Sequence, residues 1–312
     1  MTSYILRRLW QMLPTMLGVI LLVFMLFNWV GGDPAYILAG KMSNAEQIAN
    51  IRTQLGIDQP FYVQLWIFIK QIVTFDFGSS WSTGEKVSNV ILSRLGPSLT
   101  VLIPLTILET VIAVGLALGI AFVRGSLTDR AVMVACTIGM SVSILVYIIV
   151  FQYFFAYKLG LFPVQGWGDN FVENLFKYSL LPILIGLAVS VAPTLRLFRT
   201  FVLDEVNQDY VRTARAKGVS ERRILWVHVL RNAAIPIITH VMSNLPALLI
   251  GAFLIERFFS IPGIGREVIL AVERSDFPVI KAITVYVAAA TMIFNLLTDL
   301  LYQAVDPRVQ LK

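Results

Sequence analysis

The sequence predicts an all-α integral membrane protein with about six transmembrane helices and both termini in the cytoplasm. Three observations carry that expectation. The first is composition: 57% of the 312 residues are hydrophobic and 14% are charged, against about 25% charged in soluble domains. The second is that apolar residues gather into runs near 9–30, 97–123, 131–155, 178–201, 236–256 and 281–303. Each supplies the roughly 20 residues a membrane-crossing helix needs, and too little polar sequence remains to wrap six such helices as a soluble core. The third is charge placement. With an even number of spans the termini share one side, and more than half of the 25 Lys and Arg fall there, although its loops are the shorter ones. Loops dense in Lys and Arg face the cytoplasm. The net charge of +6 is thus a consequence of topology and gives no reason to expect nucleic acid as a partner. Membrane lipid is the expected surrounding.

The first run follows Arg7 and Arg8 as the core of a signal peptide would. It exceeds the roughly 7–15 apolar residues of such a core, and no small-residue cleavage pattern follows, so a retained first helix over 1–30 is expected. The outer region 31–96 is too long for a simple turn. Ser43-Asn44-Ala45-Glu46 matches a capping box, Gly56 suits the end of the helix so started, and Pro60 suits the first turn of another. That second helix, about 60–73, has Lys70 as its one charge and is too short to span. An interfacial helix on the outer leaflet, or one packed on the bundle, is expected.

The remainder, 97–312, reads as the transmembrane core. The second span holds Gly115 and Gly119 at the spacing that lets helices approach closely. It also holds Glu109 near its middle, where an ionisable group is costly and faces the bundle interior or a wet cavity. Glu109 is either a translocation-path residue or a hydrogen-bonded packing acid. Cys136 lies inside the third span and reads as core packing. The cytoplasmic loop 202–235 reads as two short helices, about 208–217 and 221–232, broken at Gly218, a residue that takes a sharp corner at low cost. Arg212 and Arg215 fall on an exposed face of the first, and Ile224, Trp226, Val227, Val229 and Leu230 are the second's residues to bury. Such a basic elbow suits docking into a cytoplasmic partner, or serves as a connector whose arginines set topology and meet anionic lipid. After the fifth span, Pro262 with Gly263 and Gly265 defines a tight turn on the outer side. Asn295, Asp299, Tyr302 and Asp306 recur every three or four residues along one face of the last helix and are expected to hydrogen-bond a neighbour. His228 and His240, twelve residues apart, suggest no metal site.

The stretch Asp209-Tyr210-Val211-Arg212-Thr213-Ala214-Arg215-Ala216-Lys217-Gly218 resembles the EAA loop of permease subunits of binding-protein-dependent ABC importers. It is most similar to the peptide branch, the dipeptide and oligopeptide permease B-type subunits. The resemblance runs almost end to end. It includes Gly32-Asp33-Pro34, Leu55-Gly56, Asp58, Pro60, Gln64, Asp76, Gly78 and Ser80 in the outer loop. Further on come Phe259-Ser260-Ile261-Pro262-Gly263-Ile264-Gly265, Asp276, Pro278 and the tail Asp306-Pro307-Arg308. The general importer loop reads E-A-A-x-x-x-G. Here Arg212 and Thr213 replace its first two positions while Ala214 and Gly218 remain, and His228-Val229-Leu230-Arg231 lacks the later proline. Arg-Thr-Ala is similar to the peptide branch.

The resemblance implies a permease that pairs with a second homologous permease, with the path between them. It implies two ATPase subunits below, each receiving one EAA loop, and a periplasmic or lipid-anchored substrate-binding protein above, in a bacterial inner membrane. Gly218 would set the elbow angle, Ala214 and Ala216 would allow close packing, and Arg212, Arg215 and Lys217 would make polar contacts with the ATPase. Phe258, Phe259, Pro262, Gly263 and Gly265 would belong to an outer gate or binding-protein docking surface, unless the segment is a plain re-entrant turn. The chain has no phosphate-cradling G-x-x-x-x-G-K-[ST] loop. ATP and Mg are therefore expected in the partner subunits, with no cofactor and no catalysis in this chain. Short peptides are the expected substrate, with glutathione, a nickel chelate or a peptide antibiotic as alternatives. A secondary transporter or channel is the remote alternative. It usually shows repeated halves with broken helices, and such a mechanism has no use for a large cytoplasmic elbow.

Overall fold

The computed structural model describes residues 2–30, 34–39 and 44–305. Helix α1, Thr2–Met25, continues through a π-helical turn over Leu26–Val30 into the outer region. There α2 (Pro34–Ala39), α3 (Ala45–Leu55) and α4 (Phe61–Thr74) follow. The cap of α3 sits one residue later than the sequence suggests: the Asn44 N–H donates to Gln47 Oε1 at 3.2 Å, and Ser43 lies outside the described residues. Gly56 ends α3 in the left-handed conformation, φ 67°, at low steric cost. Helix α4 buries Phe68 and Ile72, with Phe68 stacked on Phe24 of α1. Its other face leaves Tyr62, Trp66 and Val73 exposed, as an interfacial helix should.

Helix α5 runs Val87–Phe122 and includes Pro97 and Pro104. Its 36 residues extend about 54 Å at 1.5 Å each, beyond the roughly 30 Å hydrocarbon core, so its first turns stand outside the bilayer. The span expected from 97 therefore begins ten residues earlier as helix. Helix α9, Leu180–Val206, packs along it. Gly186 admits Leu105 so closely that a Cβ there would lie 2.6 Å from the leucine Cδ2. Among the described residues no neighbouring atom lies within 4 Å of a Cβ built on Gly115 or Gly119, so these glycines make no close contact there. On α5 the fully buried small residues are Ser98, Ala113 and Ala117.

The third expected span is not straight. Helix α6 (Leu127–Ser141) and α7 (Ile144–Phe151), which continues as a π-helical turn to Lys158, meet at 92°. Val142 between them is extended, and the Ser143 hydroxyl accepts from the Leu145 N–H at 3.4 Å. A capping hydroxyl in mid-run thus ends one helix and starts another. Among the described residues five helices are long and apolar enough to cross a membrane, and six if this bent pair counts as one span. Cys136 of α6 is buried.

A short α8 (Phe171–Glu173) leads by a π-helical turn into α9. Beyond α9 come α10 (Asp209–Ala216), α11 (Glu221–Arg223) and α12 (Leu230–Ile250), the last two joined through a π-helical stretch over Ile224–Val229. Then follow α13 (Phe253–Phe258), α14 (Ile264–Glu273) and α15 (Phe277–Val305). Among the described residues an isolated Ser79–Lys86 bridge is the sole β pairing. Three apolar cores hold the bundle. One, at the cytoplasmic end, joins Ala113 and Ala117 to Phe198, Val202, Val211 and Ile224. A second, at the outer end, joins α1 and α4 to α14 and α15. The third joins Leu105 and Leu181 to Ile148, Phe259 and Ile261.

Candidate coupling elbow and outer turn

Gln208 is extended and α10 begins at Asp209. Arg212 lies one turn on, paired loosely with Asp209 at 3.3 Å on an exposed face. Val211 is fully buried, and Tyr210 and Ala214 are half-buried against the cytoplasmic core. The Tyr210 hydroxyl donates to Glu205 Oε2 at 2.8 Å, tying α10 to the end of α9. Burial pushes this phenol up to about 12, the Asn232 hydrogen bond working against it and the Glu205 carboxylate with it. Tyr210 is therefore neutral throughout the physiological range. Thr213, Arg215, Ala216, Lys217 and Gly218 are exposed.

Gly218 turns the corner with φ +76°. Its N–H donates to the Arg215 carbonyl at 2.9 Å, and the Val219 N–H donates to the Ala214 carbonyl at 3.2 Å. Across this corner Arg215 grips Glu221 with two bonds, Nε at 2.6 Å and Nη2 at 3.1 Å. Arg215 thus braces the corner at its surface, while Arg212 and Lys217 are exposed beside it.

The second arm differs from the expected short helix. It does not end near Asn232 but continues directly into the fifth span, a helical run over Glu221–Phe258 interrupted at Gly251 and Ala252. Ile224, Leu225 and Val229 are buried, whereas Trp226 is 51% exposed and Val227 52%. Trp226 lines a shallow hollow with Ser220, Arg222 and Arg223. The outward face of the elbow is thus an aromatic ring set among guanidinium groups.

At the other end of this helical run the chain makes a dense knot. Glu256 of α13 is fully buried. Its Oε1 accepts from Ser98 Oγ at 2.8 Å and from the Ala252 N–H at 3.0 Å, and its Oε2 accepts from the Arg266 N–H at 3.0 Å. The Ser98 hydroxyl in turn accepts from the Ile264 N–H at 2.9 Å. One carboxyl therefore ties together α5, the break at 251–252 and the start of α14. Phe259 and Ile261 are buried, Gly263 and Gly265 are buried beneath them, and Phe258 and Pro262 are half-buried. A Cβ on Gly263 would collide with the Glu256 carboxyl, and one on Gly265 would sit 2.8 Å from the Phe253 nitrogen. Both positions need glycine because backbone and carboxyl pass so close.

Other polar ties span the bundle. Asp276, almost fully buried, accepts from the hydroxyls of Ser80 and Ser82 and from the N–H groups of Trp81 and Ser82, fixing the outer loop to the head of α15. Asp129 accepts from Arg199 at 3.0 and 2.8 Å. Glu109, half-buried, accepts from the Thr194 hydroxyl between α5 and α9. Asp299 pairs with Arg8 of α1 at 2.8 Å; the Tyr302 side chain and Asp306 lie outside the described residues. Sequence reasoning missed Glu256, Ser98, Asp129 and Arg199. An acid at the edge of an apolar run was the available signal for Glu256. Its partner Ser98, 158 residues away, had none.

Apolar spans, a protruding basic elbow and a buried outer turn define a multi-pass membrane permease subunit. The chain belongs to the family of binding-protein-dependent transport system inner membrane components: the family pattern matches residues 111–311, and that of the family's N-terminal part matches residues 1–102. It is 36% identical to the glutathione transport system permease protein GsiC of Salmonella choleraesuis (strain SC-B67), over the whole of both chains. The same protein of Escherichia coli (strain K12) is also 36% identical over the whole of both chains. The probable peptide ABC transporter permease protein y4tP of Sinorhizobium fredii (strain NBRC 101917 / NGR234) is 34% identical over 99% of this chain and all of that one. The resemblance to ABC importer permeases of the peptide branch, in a bacterial inner membrane, thus holds.

Proposed function

We propose that this chain forms half of the path by which short peptides enter the cell, and that ATPase subunits drive it through the elbow at Asp209–Gly218. The observation that carries this reading is the elbow's construction. Its inner face is seated by Val211 and Tyr210, and the exposed Arg215–Glu221 pair braces its corner. Its outer face offers Arg212, Lys217, Arg222, Arg223 and Trp226. Arginine and tryptophan are the residues that dominate protein–protein contact energies. A connector alone needs neither an exposed indole nor a braced corner. ATP and Mg act in the ATPase subunits, and a binding protein delivers substrate at the outer face. The exposed apolar side chains Val134, Ile138, Ile149 and Tyr153 along α6 and α7 suit a sister permease. Glutathione is itself a tripeptide, and the relatives named for it favour it within the short-peptide class.

The test is uptake by the reconstituted importer with its ATPases and binding protein, supplied with labelled dipeptide or glutathione. ATP-dependent uptake of either is expected. Lys217→Glu combined with Arg222→Glu should release the ATPases on co-purification and abolish uptake. Uptake driven by an ion gradient without ATP would overturn the importer mechanism. Undiminished ATPase binding by the double variant would overturn the docking role of the elbow.

A further inference from the structure

Lys281 stands one turn into α15, whose first residue is Phe277, so its Cα lies about 6 Å along the helix from the outer end. It lines a cavity of about 330 Å³ walled by the end of α1, by α4, by the turn at 54–57 and by the loop at 77–81. The ammonium sits 5.4 Å from the Phe27 ring centre and 5.7 Å from that of Phe68, within cation–π range. These rings hold the cation in place but supply no counter-charge. Among the described residues no acid lines the cavity. The other polar wall groups are neutral: Asn28, Gln54, Gln64, Gln71 and Ser79. An ammonium has three donors and no acceptor, so the cavity is built to receive an anion.

The surroundings select which anion. Helix α4 forms one wall of the cavity, and the topology expected from charge puts that helix at the outer membrane–water boundary. Tyr62 and Trp66 of that helix are exposed, in the manner of interfacial anchors. Ile67, which lines the cavity, and Val73 of the same helix and Leu22 of α1 also present exposed apolar surface. A phosphate group with acyl chains attached would satisfy the ammonium and cover that surface together. Inorganic phosphate or a peptide carboxylate would leave the apolar flank uncovered. A zwitterionic headgroup would bring its own cation into a wall where none of the described residues offers it a carboxylate. We propose that this cavity binds the headgroup phosphate of an anionic phospholipid from the outer leaflet, with Lys281 as its counter-charge.

The test uses the complete importer, purified from membranes and placed in nanodiscs of mixed phosphatidylglycerol and phosphatidylcholine. Lipids retained by the complex are counted by native mass spectrometry. Wild type and Lys281→Arg should retain phosphatidylglycerol in preference to phosphatidylcholine. Lys281→Gln should retain it about fivefold less, the loss one interfacial basic residue implies. Equal retention by Lys281→Gln, or equal retention of the two lipids by wild type, would overturn the proposal. So would displacement of the bound lipid by inorganic phosphate or by a dipeptide. The wild-type comparison of the two lipids and these competitions need no variant, so they decide the matter even where Lys281→Gln fails to assemble.

Discussion

Replacing Gly218 isolates the backbone geometry of the elbow from everything else. Gly218 holds φ +76°, and a Cβ built there meets nothing within 4 Å. A substitution therefore creates no clash with a neighbour, and its whole effect is the left-handed backbone, about 1–2 kcal/mol for an ordinary L-residue. Valine, stiff at Cβ, belongs at the upper end of that range. An energy of this size lowers the occupancy of the corner by a factor of about 5–30. The elbow then relaxes toward geometries in which Arg215 no longer reaches Glu221. Asparagine visits the left-handed region routinely and serves as the control. The assay is ATP-dependent peptide uptake in vesicles holding the whole complex, with ATPase co-purification measured alongside. Gly218→Val should lose most uptake while the chain still inserts, and Gly218→Asn should stay near wild type. If Gly218→Val supports normal uptake and normal ATPase binding, the corner angle plays no part in coupling and the role given to the elbow is wrong.

Two further perturbations probe the remaining ties. Glu256→Gln places an amide NH2 where a carboxyl oxygen now accepts hydrogen bonds, leaving buried donors unpaired at about 1–3 kcal/mol for each group. The purified complex should unfold at a lower temperature, whereas Glu109→Gln, whose Thr194 partner can donate to an amide oxygen equally well, should leave that temperature unchanged. For the Arg215–Glu221 brace, whose partners are 41% and 45% exposed, a double-alanine cycle should give a coupling of about 0.2–1 kcal/mol. That coupling should fade as salt is raised. A coupling that salt leaves untouched would mean that the pair is shielded from solvent in the assembled importer.

The spans were legible because a membrane helix announces itself by length and apolarity, and the corner was legible because glycine marks it. Four features were not. Pro236 lacks an N–H and normally ends a helix, so the elbow's second arm and the fifth span read as separate; the structure carries Pro236 inside α12. Trp226 and Val227 read as residues to bury, because hydropathy does not tell a core face from a face kept for a partner. The bend between α6 and α7 was hidden because Ser141 and Ser143 look like ordinary small polar residues of a membrane helix, until the Ser143 hydroxyl is seen capping α7. The polar ties had the weakest trace. Glu256 with Ser98, and Asp276 with Ser80, join residues 158 and 196 positions apart, and no local pattern encodes such pairs.

The unbroken second arm matters most for how the two candidate regions relate. The elbow and the outer knot sit at opposite ends of one helical run of 38 residues. Along that run α12 fully buries few side chains, Ala233, Ile237 and Pro246, while it packs on α15, α5 and α9. Its cytoplasmic end is clamped by Ile224, Leu225 and Val229, and its outer end by the Glu256 carboxyl bound to Ser98 of α5. A displacement at the elbow therefore has two outlets. It strains the Ser98–Glu256 knot, or it is absorbed as a bend at Pro236 or Pro246, where the helix already lacks backbone bonds. Gly218→Val and Glu256→Gln loosen opposite ends of the same element. If the knot takes the strain, each alone should reduce uptake and the two together should add less than their sum, since residues acting through one element are not independent. If the prolines absorb it, the two effects should add.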